Sequence, residues 1–139
     1  MNKIPYLVLI EDDVPTSVYN EIIITESGYV RKYKNFCSTL DALDAFKDRF
    51  PIPDFILLDI NMPRMDGWGF LEEFKALLER KHNTPFPQIY MLSTSLSSHD
   101  LIRGEQNPLV QGFFQKPLTE EILLELTQMH HEKICSFTR

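Results

Sequence analysis

The sequence holds 139 residues, 43% hydrophobic and 24% charged, with a net charge of −6 and a pI near 5.1, which is material for one hydrophobic core and too little for two. An acidic balance argues against non-specific nucleic-acid binding, which needs a basic surface. Cys37 and Cys135 form no metal or redox motif, Met1 to Pro5 starts no signal-peptide core, and no apolar run reaches transmembrane length. The expected setting is therefore a soluble cytoplasmic protein with no membrane contact. No repeat, low-complexity tract or linker interrupts the chain, so one domain is expected over 1–139, with its core at about 5–130 and a short C-terminal tail.

Taken in order, Tyr6 to Ile10 is a continuous apolar run, read as a first strand, and it ends in Glu11-Asp12-Asp13. Asp13 suits the N-cap of a helix with Pro15 in its first turn, and Gly28 suits its stop. Val14, Val18 and Ile22 recur every fourth residue and mark one face of that helix. Tyr29 to Phe36 is a weaker strand whose Arg31, Lys32 and Lys34 suit a sheet edge. Ser38 opens a second helix, with Asp41 completing a capping-box pattern and Leu40, Leu43, Phe46 and Phe50 as its stripe. Phe55 to Asp59 is an apolar run closing in a carboxylate, read as a strand buried on both faces. A turn from Met62 to Gly67 follows, with Asn61 and Asp66 as turn formers. Phe70, Leu71, Phe74, Leu77 and Leu78 then give a third helix. Gln88 to Leu92 is a fourth strand ending in Ser93-Thr94-Ser95. Ser98 to Gln106 is a helix with a sparse stripe, Leu101 and Ile102. Val110 to Gln115 is a fifth strand followed by Lys116-Pro117. Thr119 caps a last helix bearing Ile122, Leu126 and Met129, and the tail from His130 is expected to fray. The four histidines read as surface residues, and Trp68 as a packing or surface residue.

Strict strand-helix alternation implies right-handed crossovers and a parallel sheet covered on both sides. With the polar second strand at an edge, the pattern fits the doubly wound strand order 2-1-3-4-5, which is the order of known sheets of this kind and is not forced by the pattern alone. Such a sheet brings the ends of strands one, three, four and five to one rim. Glu11 and Asp12, Asp59, Ser93 and Lys116 would then converge, although Asp59 alone has a plainer reading as a turn residue or cap and Lys116 as a surface lysine. Carboxylates about 4 Å apart repel by roughly 4 kcal/mol per pair at an effective dielectric near 20, so the cluster needs positive charge. Lys116 supplies one charge, and a hard divalent cation of the Mg²⁺ type, bound through carboxylate oxygen, would supply two more. Beside such a cation, Asp59 could serve as a nucleophile toward a phosphoryl group.

The segments Val8-Leu9-Ile10-Glu11-Asp12-Asp13, Leu57-Leu58-Asp59-Ile60-Asn61-Met62-Pro63, Met65-Asp66-Gly67, Met91-Leu92-Ser93 and Gly112-Phe113-Phe114-Gln115-Lys116-Pro117 carry a resemblance to response-regulator receiver domains of two-component signalling. The likeness spans essentially the whole chain and is strongest in the ordered set of rim residues. It implies a (βα)5 flavodoxin-like three-layer sandwich of the stand-alone kind, with no output domain. It implies Asp59 as phosphoacceptor, with Glu11 and Asp12 as the acidic pair for Mg²⁺, or Mn²⁺ in its place. Asp13 is a possible third acidic member, and Asn61 would offer its backbone carbonyl to the metal. Ser93 and Lys116 would contact the phosphoryl group, Phe113 would turn inward with Ser93 as an aromatic switch, and Lys116-Pro117 would be a cis bond. Asn61 and Ser95 would tune the lifetime of the phosphoryl group.

The implied function is that of a signalling protein rather than an enzyme. It would take phosphoryl groups from a sensor histidine kinase or a histidine phosphotransfer protein. It would signal to a downstream protein through the fourth helix, fifth strand and fifth helix, as a monomer or weak homodimer. Two other readings compete. An aspartate-nucleophile phosphatase would want a second Asp where Asn61 stands, and a receiver-like module that only binds partners is kept in play by Thr94, which narrows access to Asp59.

Overall fold

The computed structural model describes residues 3–48, 50–81, 85–94 and 96–137, with side chains through Lys133. Strands and helices alternate strictly: β1 Ile4–Ile10, α1 Val14–Ser27, β2 Val30–Phe36, α2 Thr39–Lys47, β3 Phe55–Asp59, α3 Gly67–Arg80, β4 Gln88–Ser93, α4 Ser98–Gln106, β5 Val110–Gln115 and α5 Glu120–Phe137. The strands pair in parallel in the order β2-β1-β3-β4-β5, the expected arrangement. Lysine-bearing β2 is an edge strand, and β3 is central with every residue buried.

The two-residue period of β3 divides the core. Ile56 and Leu58 face Phe46, Phe70 and Phe74 of α2 and α3, while Phe55 and Leu57 face Ile24 of α1 and Leu123 and Leu126 of α5. The first layer is aromatic. Phe70 stacks on Phe74 at 5.1 Å, Phe74 meets Phe46 at 5.3 Å, and Phe46 meets Phe36 edge-on at 5.8 Å. Each helix entry is fixed by a short polar side chain accepting the backbone N–H three residues on. Asp13 accepts from Thr16, Ser38 from Asp41, Asp66 from Gly69, Ser97 from Asp100 and Thr119 from Ile122, all at 2.9–3.2 Å. Asp66 is therefore a helix cap, beyond the turn role expected for it.

Several expectations need correction. Val14, Val18 and Ile22 do line up along α1, but they face solvent at 66%, 52% and 49% exposure. Periodicity reveals a stripe without saying where it points. The entry at Asp13 and the bond from Ser17 Oγ to the Glu11 carbonyl, 3.3 Å, turn Ser17, Asn20 and Ile24 toward the sheet instead. Phe50 lies beyond the end of α2 and reaches the core edge through an edge-on contact with Phe36 at 5.8 Å. The tail does not fray at His130, because α5 continues to Phe137. His130 is half-buried with its ring edge-on to Phe55 at 6.2 Å, which ties the helix to the sheet at that position. Trp68 is buried, with the Arg103 guanidinium 4.9 Å over its ring. Among the described residues no helix is long and apolar enough to cross a membrane.

Candidate functional site

Strand register assembles the rim. Ile10 pairs with Leu58, which sets Glu11 beside Asp59; Asp59 pairs with Leu92, and Ser93 with Gln115. Residues up to 105 positions apart therefore meet: Lys116 Nζ lies 2.5 Å from Glu11 Oε1 and 3.4 Å from Asp59 Oδ2. Carboxylate oxygens of Glu11, Asp12 and Asp59 all fall within 4.8 Å of one another. Glu11 is 3% exposed and Asp59 8%, whereas Asp12 is half-buried at the mouth. Asp13 is engaged elsewhere. Its carboxylate accepts from the Thr16 N–H and hydroxyl, and those bonds hold its pKa below the ordinary value.

Burial pushes the Glu11 carboxyl above its usual value, against the opposing pull of the hydrogen bond from Lys116. Burial works downward on Lys116, but the hydrogen bond to Glu11 and the charge of Asp59 outweigh it and raise the ammonium. The two directions oppose each other, since one favours a neutral acid and the other an ion pair. We take the pair as ionised, because a lysine held between two carboxylates keeps its proton. Three carboxylates and one lysine leave the cluster two negative charges in excess (3 − 1 = 2). Hard oxygen donors at that spacing with that excess suit a divalent cation of the Mg²⁺ type.

The loop between β3 and α3 flanks this cluster. The exposed Asn61 donates its N–H to Asp59 Oδ1 at 3.4 Å. Gly67 N–H closes the loop on the Ile60 carbonyl at 2.9 Å. A side chain at Gly67 is impossible without movement, since a Cβ there would lie 2.7 Å from the Asp59 carbonyl oxygen. Gly67→Ala is thus expected to destabilise the fold by about 1–3 kcal/mol through overpacking against backbone, read by urea denaturation. A neutral result would mean that α3 sits farther from the strand end.

Ser93 is buried at the end of β4, and its carbonyl accepts the Lys116 N–H at 2.7 Å. The Lys116-Pro117 bond is cis. Phe113 is half-buried and brings the tip of its ring against α4 at Gly104, where a Cβ would meet Cζ at 2.2 Å. Thr94 is exposed and lines an open cleft beside Lys116 with Pro15, Thr16, Tyr19 and Pro117. Ser95 lies outside the described residues, as does His82.

The rim thus gathers Glu11, Asp12, Asp59 and Lys116 and sets Asn61 against Asp59. Two supports escaped the sequence reading. Thr39, 1% exposed at the start of α2, donates its hydroxyl to the Met65 carbonyl at 2.7 Å, a bond hidden behind the capping role of its neighbour Ser38. Gly104 carries no local signal, because it makes room for a ring from another element.

Residues 7–128 match the family model described as the response regulator receiver domain. The chain is 32% identical over 124 residues to the chemotaxis protein CheY of Treponema pallidum, covering 87% of this chain and 83% of that protein. It is 32% identical over 84 residues, 60% of its length, to the sensor histidine kinase CheAY of Helicobacter pylori, of which it spans 10%. The solved two component response regulator from Cytophaga hutchinsonii superposes with a TM-score of 0.80 at 28% identity, covering 92% of this chain and 97% of that one. An acidic rim on a 2-1-3-4-5 parallel sheet, with this coverage, makes the chain a member of the response regulator receiver domain family.

Proposed function

We propose that the chain accepts a phosphoryl group on Asp59 in a Mg²⁺-dependent reaction and uses the new charge to change its affinity for a partner protein. The observation that carries this reading is the placement of Lys116 within 3.4 Å of Asp59, in a cluster that also holds Glu11 and Asp12. An oxygen of Asp59 attacks phosphorus, the donor's bond to phosphorus breaks, and the leaving imidazole keeps the bond's electron pair. Lys116 stays protonated beside the transferred group and balances charge that develops there. Glu11, Asp12 and Asp59, with the Asn61 carbonyl, would hold the metal, whose chemistry when bound is to neutralise phosphoryl oxygens and admit an anion to an anionic site.

The Ser93 hydroxyl would donate to a phosphoryl oxygen, and Phe113, pressed on α4 at Gly104, would report that change to the α4-β5-α5 face. A phosphoryl group adds roughly −1.5 to −2 charge, enough for the few charge-assisted contacts such a shift requires. Asn61 and Ser95 would set how readily water removes it, and neither is a strong general base, so slow self-dephosphorylation follows. The phosphodonor would be a histidine kinase or a histidine phosphotransfer protein, and output would be binding of a downstream protein.

Incubation with Mg²⁺ and acetyl phosphate tests the reading by intact mass. The expected result is a gain of one phosphoryl group, lost in EDTA and absent from Asp59→Asn. A gain that survives Asp59→Asn, or none in the parent protein, sinks it. Steady hydrolysis of a phosphomonoester would point to a phosphatase instead.

A further inference from the structure

We infer that Thr39 is a positioning residue for the acidic site: its hydroxyl clamps the loop whose backbone touches Asp59. The loop holds a left-handed residue that is not glycine, Arg64 at φ 68°, and the Met65 N–H bonds back to the Pro63 carbonyl at 2.9 Å across it. A three-residue turn closed through a positive φ is the strained form of the γ-turn. Such strain persists only where surrounding contacts over-determine the conformation. At the base, Gly67 N–H holds Ile60 and Asp66 caps α3. At the tip, the hydroxyl of Thr39 reaches across from α2 to the Met65 carbonyl, 2.7 Å away and 26 residues on.

Thr39 is 1% exposed, so water does not stand in for the hydroxyl when it is removed. Met65 itself packs at the margin of the core layer beneath α2 and α3, which gives the clamp a firm anchor. The tip bond and the base bond together fix the backbone at Asn61, whose N–H reaches Asp59 Oδ1 at 3.4 Å. Thr39 therefore acts on Asp59 at second hand, through Met65, the strained turn and Asn61. The clamp stands on these contacts alone; its consequence for metal and phosphoryl chemistry rests on the reading of Asp59 as phosphoacceptor.

The test compares Thr39→Val, which keeps shape and removes the hydroxyl, with Thr39→Ser, which restores it. Amide hydrogen exchange at Asn61 and Met65, whose N–H groups are bonded within the loop, reads the clamp, and Mg²⁺ titrated by calorimetry reads its consequence. Thr39→Val is expected to speed exchange at those amides roughly 3- to 10-fold, the range of one ordinary hydrogen bond, while β3 exchanges as before. It should weaken Mg²⁺ binding by a similar factor, with Thr39→Ser near the parent value on both counts. Exchange at the loop unchanged in Thr39→Val, or Thr39→Ser as impaired as Thr39→Val, overturns the clamp. Faster exchange with unaltered Mg²⁺ affinity overturns the positioning role. If Thr39→Val does not fold, Thr39→Ala is read in its place with the same expectations. Failure of the parent protein to take up a phosphoryl group would strike the functional reading alone, because neither readout uses phosphorylation.

Discussion

Lys116→Met is expected to destabilise the metal-free protein by about 3–5 kcal/mol, the usual consequence of removing one partner from a buried ion pair. Methionine fills much of the same volume, so the loss is electrostatic. Glu11 Oε1 and Asp59 Oδ2 lose a shared donor while their side chains remain only 4% and 9% exposed. Glu11 keeps the Asp13 N–H at 3.2 Å, too little for a buried anion facing another. The deficit should also depend on pH. Burial already raises the Glu11 pKa above 4.5 in the folded protein. A folded pKa above the unfolded one means stability that is complete below the unfolded value and lost as pH rises through the folded value. Removing the lysine raises that folded value further and widens the window of loss. On acidification the Glu11 carboxyl, already favoured to hold a proton by burial, can take one and donate to Asp59, so the deficit should be smaller at about pH 5 than at about pH 8. Urea denaturation in EDTA at the two pH values checks both points. A deficit under 1 kcal/mol, or one that grows on acidification, would mean that Lys116 does not neutralise this cluster.

How much of this was legible beforehand follows from where each signal lives. The apolar run Phe55 to Leu58 ending in Asp59 needs burial on both faces, which suits a central strand, and the lysines of β2 suit an edge. Once the alternation of strand and helix is granted, the rim follows, because parallel strands end on the same side. The orientation of α1 could not be read this way. Val14, Val18 and Ile22 announce a stripe, yet the sheet receives Ser17, Asn20 and Ile24. That choice depends on how the chain leaves β1 at Glu11 and Asp13, a tertiary matter. The length of α5 was missed for a related reason, since His130 finds Phe55 of another element and propensity alone does not contain that contact. Thr39, Gly104 and the left-handed Arg64 belong to the same class: each answers a backbone or ring contributed from elsewhere.

Asp12→Asn should change sign with metal, stabilising the protein in EDTA and leaving it the less stable form in saturating Mg²⁺. Without metal, the Asp12 carboxylate stands within 4.8 Å of oxygens of Glu11 and Asp59. Each such pair repels by roughly 3 kcal/mol at an effective dielectric near 20, before solvent at the half-open Asp12 side screens it. Allowing for that screening, the neutral amide should stabilise the metal-free fold by about 1–2 kcal/mol. In Mg²⁺ at a hundred times the dissociation constant the parent gains about 2.7 kcal/mol by mass action, since the unfolded chain brings no three carboxylates together. The variant, with one anionic ligand fewer, gains little at that concentration, so its stability curve against Mg²⁺ starts above the parent's and ends below it. Thermal unfolding across a Mg²⁺ series checks the crossing. Parallel curves would show that Asp12 neither repels its neighbours nor contributes to the metal site. A variant weaker in EDTA as well would show that its carboxylate holds the rim by a contact other than charge. The crossing itself would tie the repulsion of the empty cluster to the affinity of the filled one, because the same excess charge drives both.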